Sequence, residues 1–190
     1  MKLIDILPKL KRGPQVVQLK DAAIIAAYSG IKQGDFVVDA GTGGGWLAAF
    51  LAQTVGYTGR VVTYEHRKEF YEIAKINFKT LQFKNIRQKF EDIYKGISEK
   101  NVDLIALDLA NPWKVISSAE KALQDGGFFV AYLPQMTQVI ELCKHLKKSK
   151  LRLTRVTEVI ERNWVVDDQI ARPEHMILGH TAFLVFARKH

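Results

Sequence analysis

Apolar residues in this chain fall into short runs broken by polar or glycine-rich stretches. The run Phe36-Val37-Val38-Asp39-Ala40 stops in Gly41-Thr42-Gly43-Gly44-Gly45 and is followed by Trp46, Leu47, Ala48, Ala49, Phe50, Leu51 and Ala52. This pattern predicts a strand, a tight turn and a buried helix. Upstream, residues 21–28 suit a helix with Asp21 near its start and Gly30 ending it. Downstream, residues 60–65 read as a second strand. Residues 68–81 place Phe70, Ile73, Ala74 and Leu81 on one helical face. Residues 86–90 and 102–108 read as strands, and 114–123 as a helix. Gly126-Gly127 reads as a turn before a buried strand at 128–133, and 137–147 as a helix. Two β-like runs, 151–161 and 181–187, close the chain, with a loop containing Arg172-Pro173 between them. Residues 1–20, with Pro8, Gly13 and Pro14, show little periodicity and read as an arm rather than a core element. The expected organisation is therefore an N-terminal arm, 1–20, and one domain, 21–190.

Strands alternating with helices predict a mostly parallel sheet covered on both faces. Two consecutive strands at the end add an antiparallel pair at one edge. That α/β arrangement resembles the Rossmann-like, seven-stranded class I methyltransferase fold, with an antiparallel edge strand and helices on both faces. A length of 190 residues suits one well-buried domain. No apolar run is long enough to span a bilayer, and no secretory leader is evident, so no membrane role and a cytoplasmic location are expected. The lone Cys143, beside Val139 and Leu146 on the helix pattern, is expected as a core thiol. A formal net charge of +8 makes a polyanionic partner plausible. Its basic residues gather at Lys9, Lys11, Arg12 and Lys20, and again from Lys144 through Arg155.

The candidate chemistry gathers at strand ends. In an open sheet the ligand lies beyond the carboxyl ends of the central strands. There the sequence puts Asp39 and the glycines, then Glu65, then Glu91-Asp92, then Asp108. Glycine lets the backbone turn sharply and approach a ligand closely. The absence of Gly-Lys-Ser/Thr argues against a phosphate-cradling loop. Glu65, about 20 residues past the glycines, stands where such units place a carboxylate on ribose hydroxyls. Four acids at four strand ends fit a cation-bearing nucleoside such as S-adenosylmethionine, with Glu91 or Asp92 on the adenine amino group. Asp108 either caps the helix after it or accepts a hydrogen bond from an exocyclic amine and stabilises charge on a ring. Histidine and cysteine spacing offers no metal site, and no nucleophile elbow is present.

Taken together, these motifs resemble the tRNA (adenine-N1)-methyltransferase family that modifies position 58 of the T loop. The resemblance rests on Gln15, Lys20-Asp21, the Asp39 to Gly45 turn, Tyr64-Glu65, Leu107-Asp108-Leu109 with Pro112-Trp113, Arg172-Pro173, and Gly179-His180-Thr181-Ala182-Phe183-Leu184. It implies S-adenosylmethionine held by Asp39, Gly41, Thr42, Gly43, Gly44, Gly45, Glu65, Glu91, Asp92 and Asp108, with Asp108 also catalytic. Gln15, Lys20, Pro112, Trp113, Arg172 and His180 are implied on the tRNA side. The basic arm and the Lys144 to Arg155 cluster are implied as phosphate contacts, and a homotetramer as the assembly. Family members usually carry a small β-rich domain ahead of the region equivalent to Arg12, which is nearly absent here, and Ala110 stands where the family's loop has proline. A small-molecule methyltransferase of the precorrin type and a non-catalytic tRNA-binding subunit are the alternatives.

Overall fold

The computed structural model describes residues 3–13 and 16–190. A seven-stranded sheet is built from β1 (Phe36–Ala40), β2 (Arg60–Tyr64), β3 (Ile86–Lys89), β4 (Val102–Leu107), β5 (Leu123–Leu133), β6 (Leu151–Thr157) and β9 (Phe183–Lys189), in the order β3-β2-β1-β4-β5-β9-β6. β1 and β4 are apolar almost throughout and buried on both faces, as central parallel strands require. β9 runs antiparallel to both β5 and β6. The expected antiparallel strand is therefore present, one place in from the edge. Chain order reverses between β1 and β4, both of whose carboxyl ends open onto one crevice.

Helices α2 (Leu19–Ser29) and α3 (Trp46–Val55) pack on one face, while α5 (Ile116–Ala122) and α6 (Met136–Leu146) pack on the other. α3 buries Leu47, Ala48, Leu51, Ala52 and Val55, and each large side chain among them contributes about 1.5–3 kcal/mol. α4 (Lys68–Leu81) has the expected bounds, and Gly30 ends α2 in the left-handed conformation. Cys143 is half-buried against the core, as a core thiol on α6.

Three expectations are corrected. The leading segment is not a loose arm: α1 (Leu3–Ile6) and a 3₁₀ turn, Leu7–Lys9, bury Leu3, Leu7 and Leu10 against Ala49 of α3. Gly126-Gly127 is not a turn before β5 but lies inside it. A Cβ on Gly127 would stand 2.9 Å from the Val102 carbonyl, and the β4–β5 register shifts there, so the pair marks an irregularity where two backbones meet closely. Finally, the loop around Arg172-Pro173 contains a two-stranded hairpin, β7 (Trp164–Asp167) and β8 (Ile170–Pro173), closed by Asp168 and Gln169.

Among the described residues no helix is long and apolar enough to cross a membrane, and no group of three or more histidine, cysteine or acidic side chains could hold a metal.

Candidate active site

The glycine turn is shaped by what lies behind it. Gly41 adopts φ +84°, and a Cβ there would stand 2.2 Å from the carbonyl oxygen of Asp108. Any side chain at this position would push apart β1 and the Asp108 loop. Gly45, in the left-handed region at φ +81°, starts α3 and has Phe78 where a side chain would go. On the outer side, buried Asn77 of α4 accepts from Lys11 N–H (3.0 Å) and donates to the carbonyls of Lys11 (2.8 Å) and Gly44 (2.8 Å). The N-terminal segment is thereby tied to the turn. Between the two lies a narrow crevice walled by Val16, Val17, Thr42, Trp46 and Asp108.

Three of the expected acids converge here. Asp39, 2% exposed, accepts from the Thr63 hydroxyl at 2.5 Å, and the Thr63 oxygen is 2.6 Å from that of Thr42. Burial, opposed by the Thr63 bond and reinforced by Asp108 and Glu65, lifts the Asp39 carboxyl to about 7. Asp108 is lifted to about 6 by burial, with Arg67 pulling down and Glu65 pushing up. Glu65, 2% exposed, goes the other way. Burial would raise it, but the Arg67 side chain (Nε to Oε1 3.0 Å, Nη2 to Oε2 3.2 Å) and the N–H groups of Arg67 and Gly43 outweigh that and hold it low.

Arg67 was not foreseen among the site residues, although its place two residues after Glu65 was a usable signal. Nor was Tyr132, at the end of β5. Its buried hydroxyl makes no well-formed hydrogen bond among the described residues and is pushed up to about 12 by burial, Asp21 and Asp108, against a weaker pull from Thr181. Trp46 Nε1, in the crevice wall, is buried and unpartnered too.

Glu91 and Asp92 line a neighbouring cleft of about 590 Å³ with His66 and Phe90. Asp92 accepts from Tyr94 N–H (3.0 Å), capping the 3₁₀ turn Ile93–Lys95, whereas Glu91 stays exposed, 3.8 Å from Lys89. Asp108 caps nothing: the turn Pro112–Val115 starts from Asn111 without a side-chain cap.

The residues expected on the substrate side scatter. Lys20 points its ammonium at Asp21 (2.9 Å), Thr181 (2.6 Å) and the Val159 carbonyl (2.7 Å), so its three N–H groups are spent pinning α2 to the C-terminal strands. Thr181 in turn donates to Asp21. His180 bridges the Pro134 carbonyl (2.9 Å) and Glu158 (3.0 Å), in that order the causes that raise its pKa. Pro112 is buried, and Trp113 stacks on His145 at 6.1 Å. Arg172 lies on β8 and donates to the Pro173 carbonyl. Gln15 lies outside the described residues. The Lys144 to Arg155 cluster follows the end of α6 and the start of β6, at the edge of the sheet away from the carboxyl ends of β1 and β4.

The glycine turn, three crowded acids and two unpartnered donors are the features against which known proteins can be set. The family described as the GCD14 subunit of the tRNA methyltransferase complex matches residues 8–170. The chain belongs to that family. A relative from Methanocaldococcus jannaschii, named tRNA (adenine(57)-N(1)/adenine(58)-N(1))-methyltransferase TrmI, is 35% identical over 98% of this chain and 76% of its own length. A solved structure from Thermotoga maritima, titled a SAM-dependent O-methyltransferase, superposes with a TM-score of 0.92 at 36% identity, covering 100% of this chain and 71% of that one. The tRNA (m1A58) methyltransferase TrmI of Aquifex aeolicus superposes with a TM-score of 0.88 at 29% identity over 97% of this chain and 74% of that chain. By contrast, a precorrin decarboxylase from Methanobacterium thermoautotrophicum is 14% identical at a TM-score of 0.79, which shows a shared fold alone.

S-adenosylmethionine is the cofactor of this family, and the site fits it. A cationic ligand relieves the crowding of Asp39, Glu65 and Asp108.

Proposed function

We propose that this chain is an S-adenosylmethionine-dependent tRNA (adenine-N1)-methyltransferase that forms 1-methyladenosine in the T loop, at position 58 and also at 57 where an adenine stands there. The observation that carries the reading is the gathering of three carboxylates whose one adjacent arginine is already spent on Glu65. Such a site is short of positive charge, and both the cofactor and a methylated adenine bring it.

When bound, the cofactor supplies an electrophilic methyl group on a sulfonium and departs neutral. Glu65 takes the ribose hydroxyls once the half-exposed Arg67 side chain swings off its carboxylate, and Glu91 or Asp92 offers the adenine contact in the adjoining cleft. Trp46 Nε1 adds a buried donor in the crevice wall. Adenine N1 carries its own lone pair, so no residue needs to act as a strong base. Asp108 acts by accepting from the exocyclic amine of the target base, fixing its orientation and stabilising the positive charge it acquires. The target nucleotide must leave its stack to reach this depth. Pro112 and Trp113 wall the loop beside Asp108, and Arg172 on the hairpin offers a guanidinium to RNA.

The assembly we propose is a homo-oligomer acting in the cytoplasm. Supporting it, Trp164, Val166, Ile170, Met176 and Leu178 are 58%, 76%, 45%, 86% and 60% exposed, an apolar surface that water leaves unsatisfied.

The test is methyl transfer to unmodified tRNA transcript, with digestion and mass spectrometry of the product. Wild type is expected to yield 1-methyladenosine in the T loop. Asp108→Ala should lose about 10²–10³ in rate, the size of one charge-stabilising contact. Because the ionised form of Asp108 is the acceptor, activity should fall as pH drops through about 6. A product other than 1-methyladenosine would overturn the assignment.

A further inference from the structure

We propose that a lysine-lined groove of about 370 Å³ beside the catalytic loop holds the phosphodiester backbone of the substrate RNA. This rests on the tRNA reading above and locates the RNA on one particular face. Lys95, Lys100, Lys114 and Lys121 line the groove together with Tyr94 and Ser117, and no carboxylate does.

The neighbouring acids are committed elsewhere. Asp92 caps Tyr94 N–H, Glu99 binds Lys89 and Tyr64, and Glu120 accepts from Lys150 N–H at 2.7 Å. Among the described residues none of the four lysines forms an ion pair, whereas Lys20, Lys89 and Lys189 each meet a carboxylate. Four like charges held along one groove repel, and a polyanion is the ligand that relieves them.

The groove begins at the chemistry. Lys114 lies in the turn that follows the Asp108 loop, and the Tyr94 hydroxyl accepts from Asn111 N–H (3.2 Å) in that loop. Lys114 Nζ stands 5.8 Å from the Tyr94 ring, and Lys95 follows Tyr94 directly. The far end is the foot of the sheet. Lys100 precedes β4, Lys121 lies in the last turn of α5, and the Lys100 ammonium donates to the Lys121 carbonyl (3.2 Å). From Lys114 to Lys121 the chain runs through contiguous helical turns, a rise of about 11 Å between the two ends. Charges strung over that distance suit a run of phosphates rather than a single phosphate. Lysine, a compact point charge on a flexible stem, suits contacts that fix position without reading bases.

The experiment compares two triple variants of equal charge change. One is Lys100→Gln, Lys114→Gln and Lys121→Gln, which leaves in place Lys95, a residue that also lines the Glu91-Asp92 cleft. The other is Lys32→Gln, Lys79→Gln and Lys84→Gln, three exposed lysines outside the groove. The dissociation constant for unmodified tRNA transcript is measured from about 50 to 200 mM salt, the range over which phosphate contacts show. Binding of S-adenosylhomocysteine and the melting temperature serve as controls for folding. The groove variant should bind tRNA at least about tenfold more weakly, with a slope of log affinity on log salt smaller by about 3, while the cofactor product binds unchanged. An unchanged slope, or equal losses in both variants, would overturn the proposal, as would competition by poly-glutamate as effective as that by RNA. Wild type that binds tRNA through the groove yet transfers no methyl group would sink the methyltransferase reading and leave the groove standing.

Discussion

The glycine-turn end of the sheet and the β7–β8 hairpin are opposite kinds of structure made by one chain. At the first, buried polar groups are held by partners from other elements: Asp39 with Thr63, Glu65 with Gly43 and Arg67, Asn77 with Lys11 and Gly44. At the second, eight residues form two strands that are mostly exposed, with Trp164 and Val166 in water. An isolated two-stranded hairpin is marginal in water, whereas the turn is fixed by the strands and helices around it. The turn is closed in by its own chain, whereas the hairpin leaves its apolar side chains exposed.

Substitutions that separate the two ends put that contrast at risk. The largest effect is expected from Gly41→Ala, because the added Cβ meets a backbone oxygen that cannot swing aside. Cofactor affinity, by calorimetry, should fall at least about 100-fold, which is about 2.7 kcal/mol, with the oligomeric mass unchanged. Trp164→Ser combined with Val166→Ser should do the reverse. Light scattering should show a smaller particle, while cofactor affinity stays within about twofold, as expected of surface changes remote from a site.

Next in size is Asp39→Asn. The folded pKa of Asp39, about 7, lies above its ordinary 3.8, so its contribution to stability is complete below about pH 4 and is lost as pH rises through 7. The variant lacks this loss. Its ligand-free melting temperature should exceed that of wild type at pH 8 and match it at pH 4, and the stabilisation that the cofactor gives wild type should be larger at pH 8 than at pH 5. A wild-type melting curve flat across that range would remove the claim of a crowded anionic site. The smallest effect belongs to Arg67→Ala, since the arginine is half exposed and screened by solvent. With burial then opposed only by the N–H groups of residue 67 and Gly43, Glu65 should protonate more readily, so cofactor affinity should weaken a few-fold in mild acid and little at neutral pH.

The site residues legible in the sequence were those at strand ends. Glycines after an apolar run, Glu65 after a second and Asp108 after a fourth lie at one edge of any parallel sheet, whatever the details of packing. Lys20 and His180 show where that reasoning fails. Their motifs are visible, but their partners, Thr181, Val159, Glu158 and Pro134, come from segments distant in the chain, and only the fold spends those side chains on each other. The hairpin escaped notice because Asp168-Gln169 lacks the glycine that marks a tight turn. The leading helix escaped because Leu3, Leu7 and Leu10 form a pattern too short to stand out, buried only once α3 is in place.

By itself the sequence determined the sheet and the acids gathered at its carboxyl edge, since strand and helix periodicities are local and the ends of parallel strands fall together. Tertiary structure alone decided the charge state of that edge: Asp39 and Asp108 are raised and Glu65 lowered because burial and one arginine act unequally on three similar groups. A carboxylate's pKa depends on distance and dielectric, and neither is written in the order of residues.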